Sequence, residues 1–234
     1  MSTTPLELSK CEKDLGVQVT PNLKWNKQHS SLLGKASQKL GLLRRSCSFS
    51  KNLAHRKILY LSIVRSQFEH CSQIWRPINP TQGEKFEALQ KRGVKWIFCE
   101  DFKPYSKKEY YDKLKALDIL PLSLKFDFND LSMFHKILYK PSDFIAFPDF
   151  LVQRDVSSLS TRCQTRSVSS ADYLQFDCSI NPTVDAFADS FFHRTYKKWN
   201  VLTLDIRECS NLDIFQTKLK EHLWSLAESI IRND

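Results

Sequence analysis

Glycine is scarce in this 234-residue chain, which holds only five. So few tight-turn residues argue against barrels and sandwiches, and against glycine-rich phosphate loops. Neither GxGxxG nor GxxxxGKS/T occurs. The seven cysteines, at 11, 47, 71, 99, 163, 178 and 209, form no Cys-x-x-Cys pair, which supports neither a zinc knuckle nor a redox motif. Odd in number and scattered, they suit a reducing compartment, where they act mostly as small core residues. No apolar run approaches the ~20 residues that span a bilayer. The opening MSTTPLELSK has no signal-peptide core. The expectation is a soluble intracellular protein with no membrane partner and no cofactor.

Acid is almost missing from one stretch. Between Gly16 and Arg76 there are eleven Lys or Arg residues and one acid, Glu69. Residues 1–117 hold 22 bases and 10 acids (+12), and residues 118–234 hold 13 and 16 (−3), which sum to the net +9. A charge so lopsided points to phosphate backbones or an anionic surface, against the plain alternative of a solvated basic face.

What is present is mostly helical periodicity. Leu15, Val17 and Val19 alternate as a half-buried strand ended by Pro21, and the only stretch free to pair with it is 4–11. Leu32, Leu33, Ala36, Leu40 and Leu43 then recur at helical spacing up to Arg44 and Arg45. A longer helix capped by Ser50 runs its seam through Leu61, Val64, Phe68, Cys71 and Trp75 to Pro77. Capping boxes at Thr81–Glu84 and Ser106–Glu109 open two more helices, and 122–139 forms a fifth, rich in aromatics. Residues 141–182 carry prolines, serines and no period. Helices resume at 184–199 and 212–231.

The fold class expected is mainly α: a helical bundle with a short N-terminal β remnant and a helical C-terminal subdomain. The boundaries read as 1–25 for the β remnant, 26–140 for a basic bundle, 141–182 for an irregular connector and 183–234 for the C-terminal helices.

Three phrases carry a resemblance. They are EKDLGVQVTPNLKWNKQH (Glu12–His29), ILYLSIVRSQFEHCSQIWRP (Ile58–Pro77) with EKFEALQKRGVKWI after it, and DSFFHRTYKKWNVL (Asp189–Leu202) followed by IRECSNLDIFQTKLKEHL. In the second, Leu59, Tyr60, Val64, Arg65, His70, Cys71, Trp75, Pro77, Gln90, Lys91 and Arg92 occupy the places of the matching residues. Together they resemble the C-terminal region of jockey-like non-LTR (LINE-type) retrotransposon reverse transcriptases, where the last palm strands lead into a helical thumb. Thr203 stands where that family usually has Pro, and His193 where Pro is common.

The resemblance implies a polymerase family, and polymerisation needs palm carboxylates to hold two Mg²⁺ ions. No Asp-Asp dipeptide occurs here. Phe187-Ala188-Asp189-Ser190 imitates the aromatic-x-Asp-Asp turn, but Ser190 replaces the second Asp and the position is far too late in the chain. Asp189 is expected on a helix surface beside core Phe187, Phe191 and Phe192. His70 and Cys71, adjacent on a helix, are expected to point apart, and His29, His55, His135, His193 and His222 show no metal spacing. Buried packing is expected of Trp25, Trp75, Trp96 and Trp199, and half-exposure of Trp224. The chain is expected not to be an enzyme on its own, with no catalytic and no metal-binding residues.

A polymerase thumb grips its duplex through phosphates, independently of sequence. The residues expected to do so here are Lys35, Lys39, Arg44, Arg45, Arg56, Lys57, Arg65, Lys91, Arg92 and Lys95. The partners are RNA, an RNA–DNA hybrid or a DNA duplex, and nuclear access follows from the family's life cycle. The alternatives are a helical protein-interaction module docking through the C-terminal half, and a decayed element fragment with no selected role.

Overall fold

The computed structural model describes residues 9–100, 104–140, 147–154 and 174–232. It is mainly helical, as the periodicities predict, with two short antiparallel hairpins. The chain forms two compact units, 1–117 and 118–234. The helix at 122–139 therefore belongs with the C-terminal half rather than with a bundle over 26–140.

The first unit opens with β1 (Glu12–Asp14) and β2 (Val17–Val19), paired so that Asp14 faces Val17. Leu15 and Gly16 both take positive φ, 44° and 88°, as a two-residue hairpin turn requires. Leu15 is thus a turn residue, 83% exposed, and not the inward strand residue its alternation suggested. The strand's partner is Glu12–Asp14, not 4–11, most of which lies outside the described residues.

Next comes α1 (Asn26–Ser46), which buries Leu32, Ala36, Leu40 and Leu43 as expected. The single helix expected from Ser50 to Trp75 is divided into pieces. They are α2 (Leu53–Leu59), a π-helical stretch over Tyr60–Arg65, α3 (Ser66–Glu69) and α4 (Ser72–Trp75). The cap is Asn52, whose side chain accepts from the His55 N–H, and not Ser50. Between α3 and α4, His70 is extended and Cys71 is left-handed at φ 52°. Long-range bonds hold this break: Trp75 Nε1 donates to the His70 carbonyl at 2.8 Å, and His29 Nε2 donates to the Trp75 carbonyl at 2.7 Å.

In α5 (Pro80–Ile97), Asn79 is the cap and Pro80 the first residue, so the cap lies two residues before Thr81. Ser106 caps α6 (Lys107–Ala116) by accepting from the Glu109 N–H, as expected. Phe68, Trp75, Phe86, Leu89, Val94 and Leu114 lie fully buried between these helices. Tyr60, also fully buried, lies against Gly93 of α5: a Cβ there would sit 2.8 Å from Tyr60 Cδ2 and Cζ and closer still to Cε2. Only glycine lets the π-helical stretch and α5 approach so closely.

The second unit packs α7 (Leu122–Tyr139) against α9 (Phe191–Val201) and α11 (Leu212–Arg232). Phe134 meets Phe176 and Trp199 at 5.2 and 5.1 Å between ring centroids, and Phe215 stacks on Trp199 at 5.7 Å. Two short helices, α8 (Asp185–Ala188) and α10 (Leu204–Arg207), flank α9. Within the stretch expected to be irregular, β3 (Leu151–Gln153) pairs with β4 (Phe176–Cys178). Asn200 clasps β4 to α9, accepting from the Phe176 N–H and donating to its carbonyl. Residues 141–146 and 155–173 of that stretch lie outside the described residues. No helix among the described residues is long and apolar enough to cross a membrane.

Candidate nucleic-acid interface

The expected cations do not share one fate. Helix α1 presents Lys35 and Arg45 to solvent, with Lys39 and Arg44 half-buried. Helix α5 presents Lys91 and Arg92, with Lys95 half-buried. The two helices pack on each other, and Arg44 Nη2 donates to the Arg92 carbonyl at 3.4 Å. Burial, and then the like charge of Arg92, hold the Arg44 guanidinium below its ordinary pKa. No ion pair engages Lys35, Lys39, Arg45 or Arg92 among the described residues. The last turn of α1 and the C-terminal half of α5 thus bring like charges together, Arg44 beside Arg92.

Arg56 and Arg65 are corrections. They are 5% and 3% exposed, so neither is offered to a ligand. Arg56 spends its guanidinium on main-chain carbonyls, donating to Ser50, Ser48 and Trp96, and lies 5.0 Å over the Trp96 ring. It ties the loop between α1 and α2 to α5. Arg65 pairs with Glu69 one turn on, at 3.3 Å. At 3.6-residue spacing a basic residue in a helix reads as surface, and neither neighbouring carbonyls nor a π-helical offset is visible in the chain. Lys57, beside Arg56 on α2, is half-exposed.

Aromatic rings reinforce the α5 side. Lys91 Nζ lies 5.1 Å over Tyr110, and Lys95 Nζ 4.8 Å over Tyr105, both rings on or just before α6. Lys113, which sequence reasoning passed over, lies over Phe98 and Tyr105 at 4.4 and 5.2 Å and pairs with Glu100. Burial pushes the Glu100 carboxyl up, but hydrogen bonds from Lys113 and Tyr105 outweigh it and leave its pKa lowered. The signal lay in YSKKEYYDKLK, where lysine and tyrosine alternate over Tyr105–Lys115. Tyr110 is itself buried, so its ring holds Lys91 by a cation–π contact and offers no open face to a base.

Other candidates resolve structurally. His70 and Cys71 do not point apart, because the helix breaks between them: Nε2 lies 3.5 Å from Cys71 Sγ and 3.1 Å from the Leu15 carbonyl. A carbonyl only accepts, so that nitrogen carries its proton toward Leu15 and has no lone pair for the thiol. In the second unit Cys178 Sγ is 3.6 Å from His193 Nδ1, but its proton goes to the Ile180 carbonyl at 3.1 Å. Trp75, Trp96 and Trp199 are buried, while Trp25 and Trp224 are half-exposed. Asp189 is exposed just after α8, beside half-buried Phe187, Phe191 and Phe192. No group of three or more His, Cys, Asp or Glu among the described residues is arranged to hold a metal ion. No protein-family model, curated protein or solved structure matches this chain.

Proposed function

We propose that the first unit binds nucleic acid through phosphates, as a thumb-like module resembling the C-terminal region of a LINE-type reverse transcriptase, with no polymerase chemistry of its own. The observation that carries this is the packing of α1 on α5, where the Arg44 guanidinium meets Arg92 and where exposed Lys35, Arg45 and Arg92 make no ion pair among the described residues. Leaving like charges together is unfavourable in isolation, and a polyanion removes the repulsion. Phosphate contacts of this kind position a duplex without reading its sequence. The polymerase role is set aside because no Asp-Asp pair exists in the 234 residues.

The residues assigned to the interface are Lys35, Lys39, Arg44, Arg45, Lys91, Arg92 and Lys95, with Lys57 at its edge. Arg56 and Arg65 hold the frame. Fluorescence anisotropy with an RNA–DNA hybrid, duplex RNA and duplex DNA tests the reading. Charge reversal at Lys35, Arg45 and Arg92, which make no ion pair among the described residues, is expected to weaken binding at least tenfold. Unchanged affinity in a folded variant would sink it. A complex with a protein that survives both high salt and nuclease would instead favour the interaction-module alternative.

A further inference from the structure

At the opposite end of α1 from Arg45, the chain leaves β2 and turns into the helix around an open cleft of about 390 Å³. Three lysines, Lys10, Lys24 and Lys27, are among the residues that line it, and no acid is. All three lysines are exposed and make no ion pair among the described residues. The wall is fixed rather than loose. Asn22 Oδ1 accepts from the Lys24 N–H at 3.1 Å and lies 2.8 Å from the Thr20 hydroxyl, while the Leu23 N–H donates to the Thr20 carbonyl at 2.9 Å. Asn26, the first residue of α1, completes the lining. Trp25 supplies no capping side chain there, and the first turn holds no acid. The helix's first N–H groups and its positive dipole end therefore add to the lysines rather than being neutralised.

We propose that this cleft seats a phosphate group carrying two or more negative charges, a terminal phosphate or a pyrophosphate. Three cations in one concavity exceed what a single internal phosphodiester, with one charge, would balance. A terminal phosphate near neutral pH carries about two charges and three acceptor oxygens. Lysines meet such oxygens as point charges, without the paired geometry that arginine demands. The seat is separate from the Arg44–Arg92 patch: nineteen residues of helix at 1.5 Å each place Asn26 about 29 Å from Arg45. Two sources share this chemistry, the phosphorylated end of a nucleic-acid strand and a free small phosphate.

Pyrophosphate titrated into the full ¹⁵N-labelled chain tests it. Saturable amide shifts at Lys24, Asn26 and Lys27 are expected, at least tenfold weaker in the triple variant Lys10→Gln, Lys24→Gln, Lys27→Gln. The pair Arg45→Glu, Arg92→Glu is expected to leave them intact. Circular dichroism checks that each variant is folded, and Lys24→Gln alone, a single exposed change, is expected to weaken the shifts several-fold. Absence of saturation, or equal shifts in the triple variant, overturns the site. A hybrid bearing a 5′-phosphate, compared with its 5′-hydroxyl twin, separates the sources. Preference lost in the triple variant assigns the seat to strand ends, and no preference beside intact pyrophosphate binding assigns it to a small phosphate. If the hybrid fails to bind while pyrophosphate still does, the nucleic-acid reading falls and this one stands.

Discussion

Two glycines in helices show how one atom can act with opposite sign. At Gly93 an added methyl would meet the ring of Tyr60, which is fully buried in the π-helical stretch that packs on α1 and α5. Overpacking of this kind costs about 1–3 kcal/mol, more than the ~1 kcal/mol that alanine gains in helix propensity. At Gly34, on the exposed side of α1, nothing lies within 4 Å of the same methyl. Gly93→Ala is therefore expected to lower stability in urea unfolding, and Gly34→Ala to raise it by up to about 1 kcal/mol. Equal effects would refute the packing account. Titration gives a second residue-scale expectation. His29 and His135 each donate from Nε2 to a carbonyl, of Trp75 and Cys209, and each keeps a buried Nδ1 with no hydrogen-bond partner among the described residues. Burial lowers the pKa of both, and of His193, below 6.5, with the carbonyl bonds opposing it at the first two and Lys197 assisting at the third. Above pH 6.5 these groups are neutral whether folded or not, and their contribution is fully present. Below 6.5 the unfolded chain takes up protons first, so stability falls until the folded histidines also protonate. Urea midpoints measured between pH 7.5 and 5 are expected to decline mainly below 6.5, and a flat profile would contradict this.

Secondary structure was legible at the level of the helix and not at its joints. Apolar spacing located α1, α5, α6, α7 and α11, because an amphipathic face writes its period into the chain. The joints follow different rules. Asn52 and Asn79 cap α2 and α5 in place of Ser50 and Thr81, and Asn79 precedes a proline that fits the first helical position. The break at His70 and Cys71 has no glycine or proline to announce it. It is imposed by bonds to Trp75 and His29, and the latter is 46 residues away from Trp75. The π-helical stretch likewise turns Tyr60 inward instead of Leu61, an offset that a strict helical period cannot anticipate. The same limit explains Arg56 and Arg65, which composition counts as surface charge. Caps can be checked directly: Asn52→Ala, Asn79→Ala and Ser106→Ala are each expected to cost about 1 kcal/mol, and Ser50→Ala and Thr81→Ala much less. Equal losses across the five in thermal or urea unfolding would mean the caps are misplaced.

On the scale of the molecule the governing fact is where charge accumulates. The +12 of residues 1–117 and the −3 of residues 118–234 fall on two separate compact units, so the sequence asymmetry is also a partition between bodies. The second unit uses its charges internally: Arg194 pairs with buried Asp130 at 3.0 Å, Lys198 with Asp127, Lys218 with Asp205 and Lys220 with Asp118. In the first, Lys35, Lys39, Arg45 and Arg92 make no ion pair among the described residues. Counterions condensed on a duplex are released once per phosphate neutralised, so the slope of log affinity against log salt counts the contacts. Removing one contacting base should reduce that slope by about 1. Lys35→Gln, Arg45→Gln and Arg92→Gln are each expected to do so, and Lys197→Gln, an exposed base of the second unit, to leave the slope unchanged. Equal slopes for all four variants would show that binding follows net charge alone, and the patch on α1 and α5 would lose its standing as an interface.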